Sequence, residues 1–173
     1  TCSISGTLVH RYLERIANEG LDQWPPERLT DLHSAFQVGL AHLGVATPDL
    51  SSATDTVQRA LHNTLTDTRG RWILRAHEAA ASEWALTLQQ PKVQHYVLDR
   101  TFIDEKGTRW IIDYKTAEPH DLSLADFMAQ QQAQYQTQLH QYAHILRQME
   151  DHPIQLALYF PLCCGWQAWS WTE

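Results

Sequence analysis

Cysteine is scarce in this chain of 173 residues: there are three, Cys2, Cys163 and Cys164. An odd count gives no even disulfide framework. The adjacent pair Cys163–Cys164 lies in an apolar stretch and reads as small core residues of a protein kept in a reducing, cytoplasmic compartment. An iron–sulfur cluster would need a fourth ligand and other spacing, so none is expected. Long apolar runs are lacking too, and none approaches membrane-spanning length. Basic charge is in deficit: 13 Lys and Arg face 20 Asp and Glu, a net charge of −7. That disfavours a free-standing DNA-binding protein, which carries a basic face. The sequence contains no Walker A or GxGxxG motif, and none of its ten histidines forms HExxH or a zinc-finger spacing. His140 and His144, four apart, read as a partly exposed helix face.

What is present suits one globular domain: 43% hydrophobic and 19% charged residues. The opening "TCSISGTLVH" has no Met, and the expectation is a domain excised from a longer protein. The first part reads as helical. Leu8, Tyr12, Leu13 and Ile16 are spaced for a helix over 5–18, with Gly20 as its stop. A Pro-marked turn precedes a helix over about 26–43, and further helices are expected over 51–65 and 69–81. The character changes near Glu83. "EWALTLQ", "VQHYVLDRTFID" and "TRWIIDYKT" read as three strands, the last two joined by a turn at "EKG". A long helix follows over about 124–150, then two strands, "IQLALYFP" and "GWQAWSWT", around Gly165. The fold class is α+β, with a helical part over about 1–82 and a mixed core over about 83–173.

One stretch poses a chemical question. "WIIDYKT" opens as a strand meant for burial and then carries Asp113 and Lys115, yet charges are seldom buried unless paired or bound to metal. If the "EKG" turn spans 105–107, Asp99 lies opposite Asp113 on the neighbouring strand, about 4.5–5.5 Å away at Cβ. Two carboxylates so close repel, so one takes a proton or a cation sits between them. The strand period of two sets Lys115 on the face of Asp113. Singly, each of these residues also reads as a solvated strand end or a weak surface ion pair.

Together these residues carry a resemblance. "GTLVH" (6–10), "VLDRTF" (97–102), "IIDYKT" (111–116) and "QLHQY" (138–142) resemble, in order, the motifs of the PD-(D/E)XK nuclease superfamily in its RecB/AddA-like branch. That branch includes nuclease domains of UvrD/Rep-type helicase–nucleases. The resemblance implies a restriction-endonuclease-like core and a metal-dependent deoxyribonuclease acting in DNA repair and recombination. It implies Mg²⁺ or Mn²⁺ held by His10, Asp99, Asp113 and the main-chain carbonyl of Tyr114. Lys115 would act on the attacking water or the transition state, and Gln138 and Tyr142 would help position the site or the DNA. Arg100 is open to two roles, contact with DNA or pairing with an acid. Glu83 stands where relatives often carry an acid, or is a solvated strand start. The expected partners are DNA and the helicase domains of the same parent chain, with no membrane. The alternative is an inactive nuclease-like module that binds DNA or a partner, but such modules typically lose the (D/E)xK residues kept here.

Overall fold

The computed structural model describes residues 3–89 and 91–173. By contacts the chain forms two compact units: Thr1–Arg75 with Tyr114–Glu118 and Phe160–Gly165, and Ala76–Asp113 with Pro119–Tyr159 and Trp166–Glu173.

The first unit is helical. Helix α1, Ile4–Glu19, begins at Ser3, whose side chain accepts from the Gly6 N–H. It ends at Gly20, whose φ of 98° is one that only glycine adopts without strain. Leu8, Val9, Leu13 and Ile16 form its buried stripe. The helix expected over 26–43 is two helices, α2 (Arg28–Asp31) and α3 (His33–His42). The break falls at Leu32, where ψ is 2° and the N–H bonds to Leu29 O, three residues back. Helix α4, Leu50–Thr66, buries Thr54 and Thr64, whose hydroxyls donate to the carbonyls of Leu50 and Ala60 one turn back. Helix α5, Thr68–Leu74, is capped by Asp67, which accepts from the Gly70 N–H. Two chain segments pack into this unit: Asn63 donates to the carbonyls of Pro161 and Leu162, and Arg59 pairs with Glu118 through two hydrogen bonds.

The second unit holds a mixed sheet. Among the described residues it has five strands, in the spatial order β1 (Glu78–Leu88), β2 (Gln94–Ile103), β3 (Arg109–Tyr114), β4 (Ile154–Phe160), β5 (Gly165–Trp171). The fold class is α+β, consistent with a restriction-endonuclease-like core. Strands β1, β2 and β3 form an antiparallel meander. Helix α6, Leu124–Arg147, connects β3 to its neighbour β4, and Ser123 caps it by accepting from the Asp126 N–H.

Two expectations are corrected here. The helix over 69–81 stops at Leu74, and β1 begins at Glu78 rather than Glu83. Alanines 79–81 favour a helix locally, but pairing with β2 overrides that preference, at the cost of a register shift between Glu78 and Ala81 and a φ of 47° at Ala79. Cys163 and Cys164 are not core residues of a strand. They lie in the turn between β4 and β5, half-buried and exposed respectively, with Cys164 at φ 52°. Cys2 lies outside the described residues. Among the described residues, no helix is long and apolar enough to cross a membrane.

Candidate functional site

The meander sets the chemistry, and its register starts at the β2–β3 turn. Asp104 organises that turn. Its Oδ1 accepts from the N–H groups of Lys106 and Thr108, and its Oδ2 from the Trp110 indole N–H at 2.9 Å. Partial burial works to raise the Asp104 pKa. The Trp110 and backbone hydrogen bonds and the Lys106 charge outweigh it and hold the carboxyl below its usual range. Gly107, at φ 80°, completes the turn.

From there the ladder runs Ile103↔Arg109, Phe102↔Trp110, Thr101↔Ile111, Arg100↔Ile112. One more residue brings Asp99 opposite Asp113, the register expected from "EKG". On the other side of β2, Ser82 pairs with Arg100 and Trp84 with Leu98, so Glu83 is opposite Asp99. Carboxylate oxygens of Glu83 and Asp99 lie within 4.8 Å of each other. Three acidic residues thus follow one line across three adjacent strands. Asp113 is buried, only 6% exposed, while Glu83 and Asp99 are half-buried. Glu83 has a φ of 48°, unusual for a residue with a Cβ and of the kind that functional sites retain.

Arg100, beside Asp99, is 3% exposed. Its guanidinium donates to Ser82 Oγ at 3.2 Å and lies over the Phe102 ring. Of its two open roles, burial favours the structural one over a surface contact with DNA. On α6, Gln138 and Tyr142 share a face: the exposed Gln138 donates its amide to Tyr142 Oη at 2.6 Å. The buried phenol is pushed up to about 12. Burial contributes most and the negative charge of Asp113 next, with Asp99 and Tyr96 adding to it and the Gln138 hydrogen bond acting the other way. Tyr142 therefore keeps its proton at neutral pH. His140 accepts from the Trp169 indole N–H, and His144 lies edge-on to Trp171, as suits an exposed helix face.

In the helical unit, His10 sits half-buried on α1, with its Nε2 3.1 Å from the carbonyl oxygen of Tyr114, 104 residues away in sequence. Their rings also meet edge to face, with centroids 5.7 Å apart. Lys115 follows directly, half-buried and just past the end of β3.

Glu83 is the residue the sequence undervalued. Its signal is the β1–β2 register, which starts from Leu88↔Gln94 and cannot be counted outward from a turn motif as on the β2–β3 side.

No curated protein matches the chain significantly. A family model described as the PD-(D/E)XK nuclease superfamily matches residues 3–164, spanning the acidic row, the Asp113–x–Lys115 signature and both α1 and α6. With most of its length matched, the chain belongs to the PD-(D/E)XK nuclease superfamily, whose members are generally metal-dependent, phosphodiester-hydrolysing nucleases.

Proposed function

We propose that this chain is a deoxyribonuclease that uses Mg²⁺ or Mn²⁺, with His10, Glu83, Asp99, Asp113 and the Tyr114 carbonyl as candidate ligands. The observation that carries this is the acidic row Glu83–Asp99–Asp113 across β1, β2 and β3. Facing carboxylates repel in the absence of a cation and hold one well when it is bound.

The donor set fits the metal. Carboxylate and carbonyl oxygens suit hard cations, and one imidazole nitrogen favours tolerance of Mn²⁺. His10 Nε2 and the Tyr114 carbonyl oxygen, 3.1 Å apart, stand close enough that both would serve one cation.

When bound, the cation supplies positive charge at the scissile phosphate and acidity at a water molecule. The chain's residues do the rest. Asp99 and Asp113 accept and orient, with Asp113 shielded from solvent. Lys115 brings an ammonium to the charge that grows on the phosphate oxygens. Tyr142 holds its proton at Oη, and because Gln138 already donates to that oxygen, the phenol hydrogen is directed elsewhere, towards substrate or a carboxylate.

The resemblance of four motifs to the RecB/AddA-like branch extends the proposal to a nuclease module of a helicase–nuclease in DNA repair. In that setting the helicase supplies the basic track that this acidic chain lacks. The test is a gel assay of single- and double-stranded DNA with Mg²⁺, Mn²⁺ or EDTA, on the chain alone and joined to its helicase. Cleavage in metal and none in EDTA is expected. Absence of metal-dependent cleavage in both forms overturns the proposal and leaves an inactive binding module.

A further inference from the structure

A cleft of about 780 Å³ opens between β2, β5 and α6. It lies within the usual size range of ligand pockets. It belongs to neither the acidic row nor the His10–Tyr114 pair, but it is continuous with the site through one ring. Tyr96, half-buried on β2, lines the cleft and meets Tyr142 edge to face, with centroids 5.7 Å apart.

The lining has a definite chemistry. Tyr96 gives a flat aromatic wall, and the buried Trp171 adds apolar surface. Gln141, Thr137, His140 and His144 add side chains that both donate and accept hydrogen bonds in varied directions. The Glu173 carboxylate lines it too, paired with Arg147 at 3.5 Å, and the Arg147 guanidinium lies over the Trp171 ring. Such a cleft suits a flat, neutral group with donors and acceptors on its edge.

We propose that this cleft takes an unpaired nucleobase of the strand being cut, stacked against Tyr96 and bonded at its edge by the α6 amide, hydroxyl and imidazole groups. This rests on the nuclease reading and deepens it. A base that enters the cleft must leave its own stack and partner, so the preferred substrate is single-stranded or frayed DNA. Stacking on an aromatic ring tolerates every base, so little sequence preference follows.

The experiment uses the full chain in EDTA, where no cleavage occurs, and reads fluorescence anisotropy. The probes are a labelled oligothymidine of roughly twelve nucleotides, an abasic strand of the same length and the matching blunt duplex. The wild type is expected to bind oligothymidine at least about tenfold more tightly than the other two, since loss of one stacking contact costs about that much. Tyr96→Leu should lose most of the advantage and Tyr96→Phe should keep it. The exposed His144→Ala should weaken oligothymidine binding a few-fold and leave the abasic strand unchanged, and it serves if Tyr96→Leu does not fold. Equal binding of the abasic strand or the duplex by the wild type overturns the proposal. So does wild-type discrimination in Tyr96→Leu, or in His144→Ala should the former not fold. Cleavage in Mn²⁺ is followed in parallel. The nuclease reading falls separately, only if cleavage is absent also from the chain joined to its helicase, and cleavage without base-dependent binding would overturn the cleft alone.

Discussion

Glu83 faces Asp99 across the β1–β2 ladder, with carboxylate oxygens within 4.8 Å and a backbone φ of 48° at Glu83. Repulsion and backbone strain coincide at one residue, and neither helps the fold in the absence of a ligand. Glu83→Gln should therefore have opposite effects on stability and binding. Metal-free stability should rise by about 0.5 kcal/mol as facing charge is removed. Mn²⁺ affinity should fall at least about tenfold, since even outer-shell partners of a metal cost that much. Thermal melting with and without Mn²⁺ reads both, and an unchanged Mn²⁺ shift would remove Glu83 from the ligands.

Asp113 and Lys115 should separate binding from catalysis. Asp113→Ala removes an anionic ligand, so both Mn²⁺ binding and cleavage should be lost while the fold persists. Lys115→Ala leaves the ligands in place. Mn²⁺ binding should persist or tighten, and cleavage should still drop about 10²–10³-fold, the usual cost of losing one transition-state stabiliser. Isothermal titration paired with a cleavage assay distinguishes them. Wild-type cleavage by Lys115→Ala would reduce the pair to a simple ion pair.

The raised pKa of Tyr142, about 12, makes an alkaline prediction. An unfolded tyrosine titrates near 10. The folded state holds the proton more tightly, so its contribution is complete below about pH 10 and is lost as pH rises towards 12. At most about 3 kcal/mol is involved. Tyr142→Phe keeps the ring beside Tyr96 and should flatten this part of the stability–pH curve relative to wild type. Parallel alkaline loss in both proteins would mean that Tyr142 is not the group responsible.

Asp104 acts at the other end of the pH scale. Its folded pKa is lowered, so its contribution is present above the unfolded value of about 3.9 and lost as pH falls through the folded one. Asp104→Ala should cost about 1–2 kcal/mol at neutral pH through three lost hydrogen bonds to the turn. The difference from wild type should shrink below about pH 4. Urea unfolding at neutral and acid pH measures it, and a constant difference would assign the loss to packing.

What is legible in the sequence is mostly local. The turn chemistry from Asp104 to Thr108 is encoded in a few consecutive residues, so the Asp99–Asp113 register can be counted outward from the turn alone. The α6 pairing of Gln138 with Tyr142 follows from a spacing of four. Where a non-local partner decides, local pattern misleads. Alanines 79–81 join a strand because β2 lies beside them, and Leu32 breaks a helix that is continuous by periodicity alone. Glu83 is ambiguous in the sequence for the same reason. Cys163 and Cys164 look apolar in composition but fall in a turn whose ends are set by β4 and β5.

The sheet's spatial order repeats its order along the chain, β1 to β5. Among the contacts between its strands, those of β1 with β2 and of β2 with β3 close over short loops and form early on a folding pathway, whereas the contact of His10 with Tyr114 spans 104 residues and carries a larger closure entropy. We therefore expect the three carboxylates to assemble before the imidazole arrives. Pulse-labelled hydrogen exchange should protect β2 and β3 before the Tyr114 end of the strand is fastened to α1, and Mn²⁺ added during refolding should leave the early phase untouched and alter only the last one. A cation-dependent early phase would reverse that order.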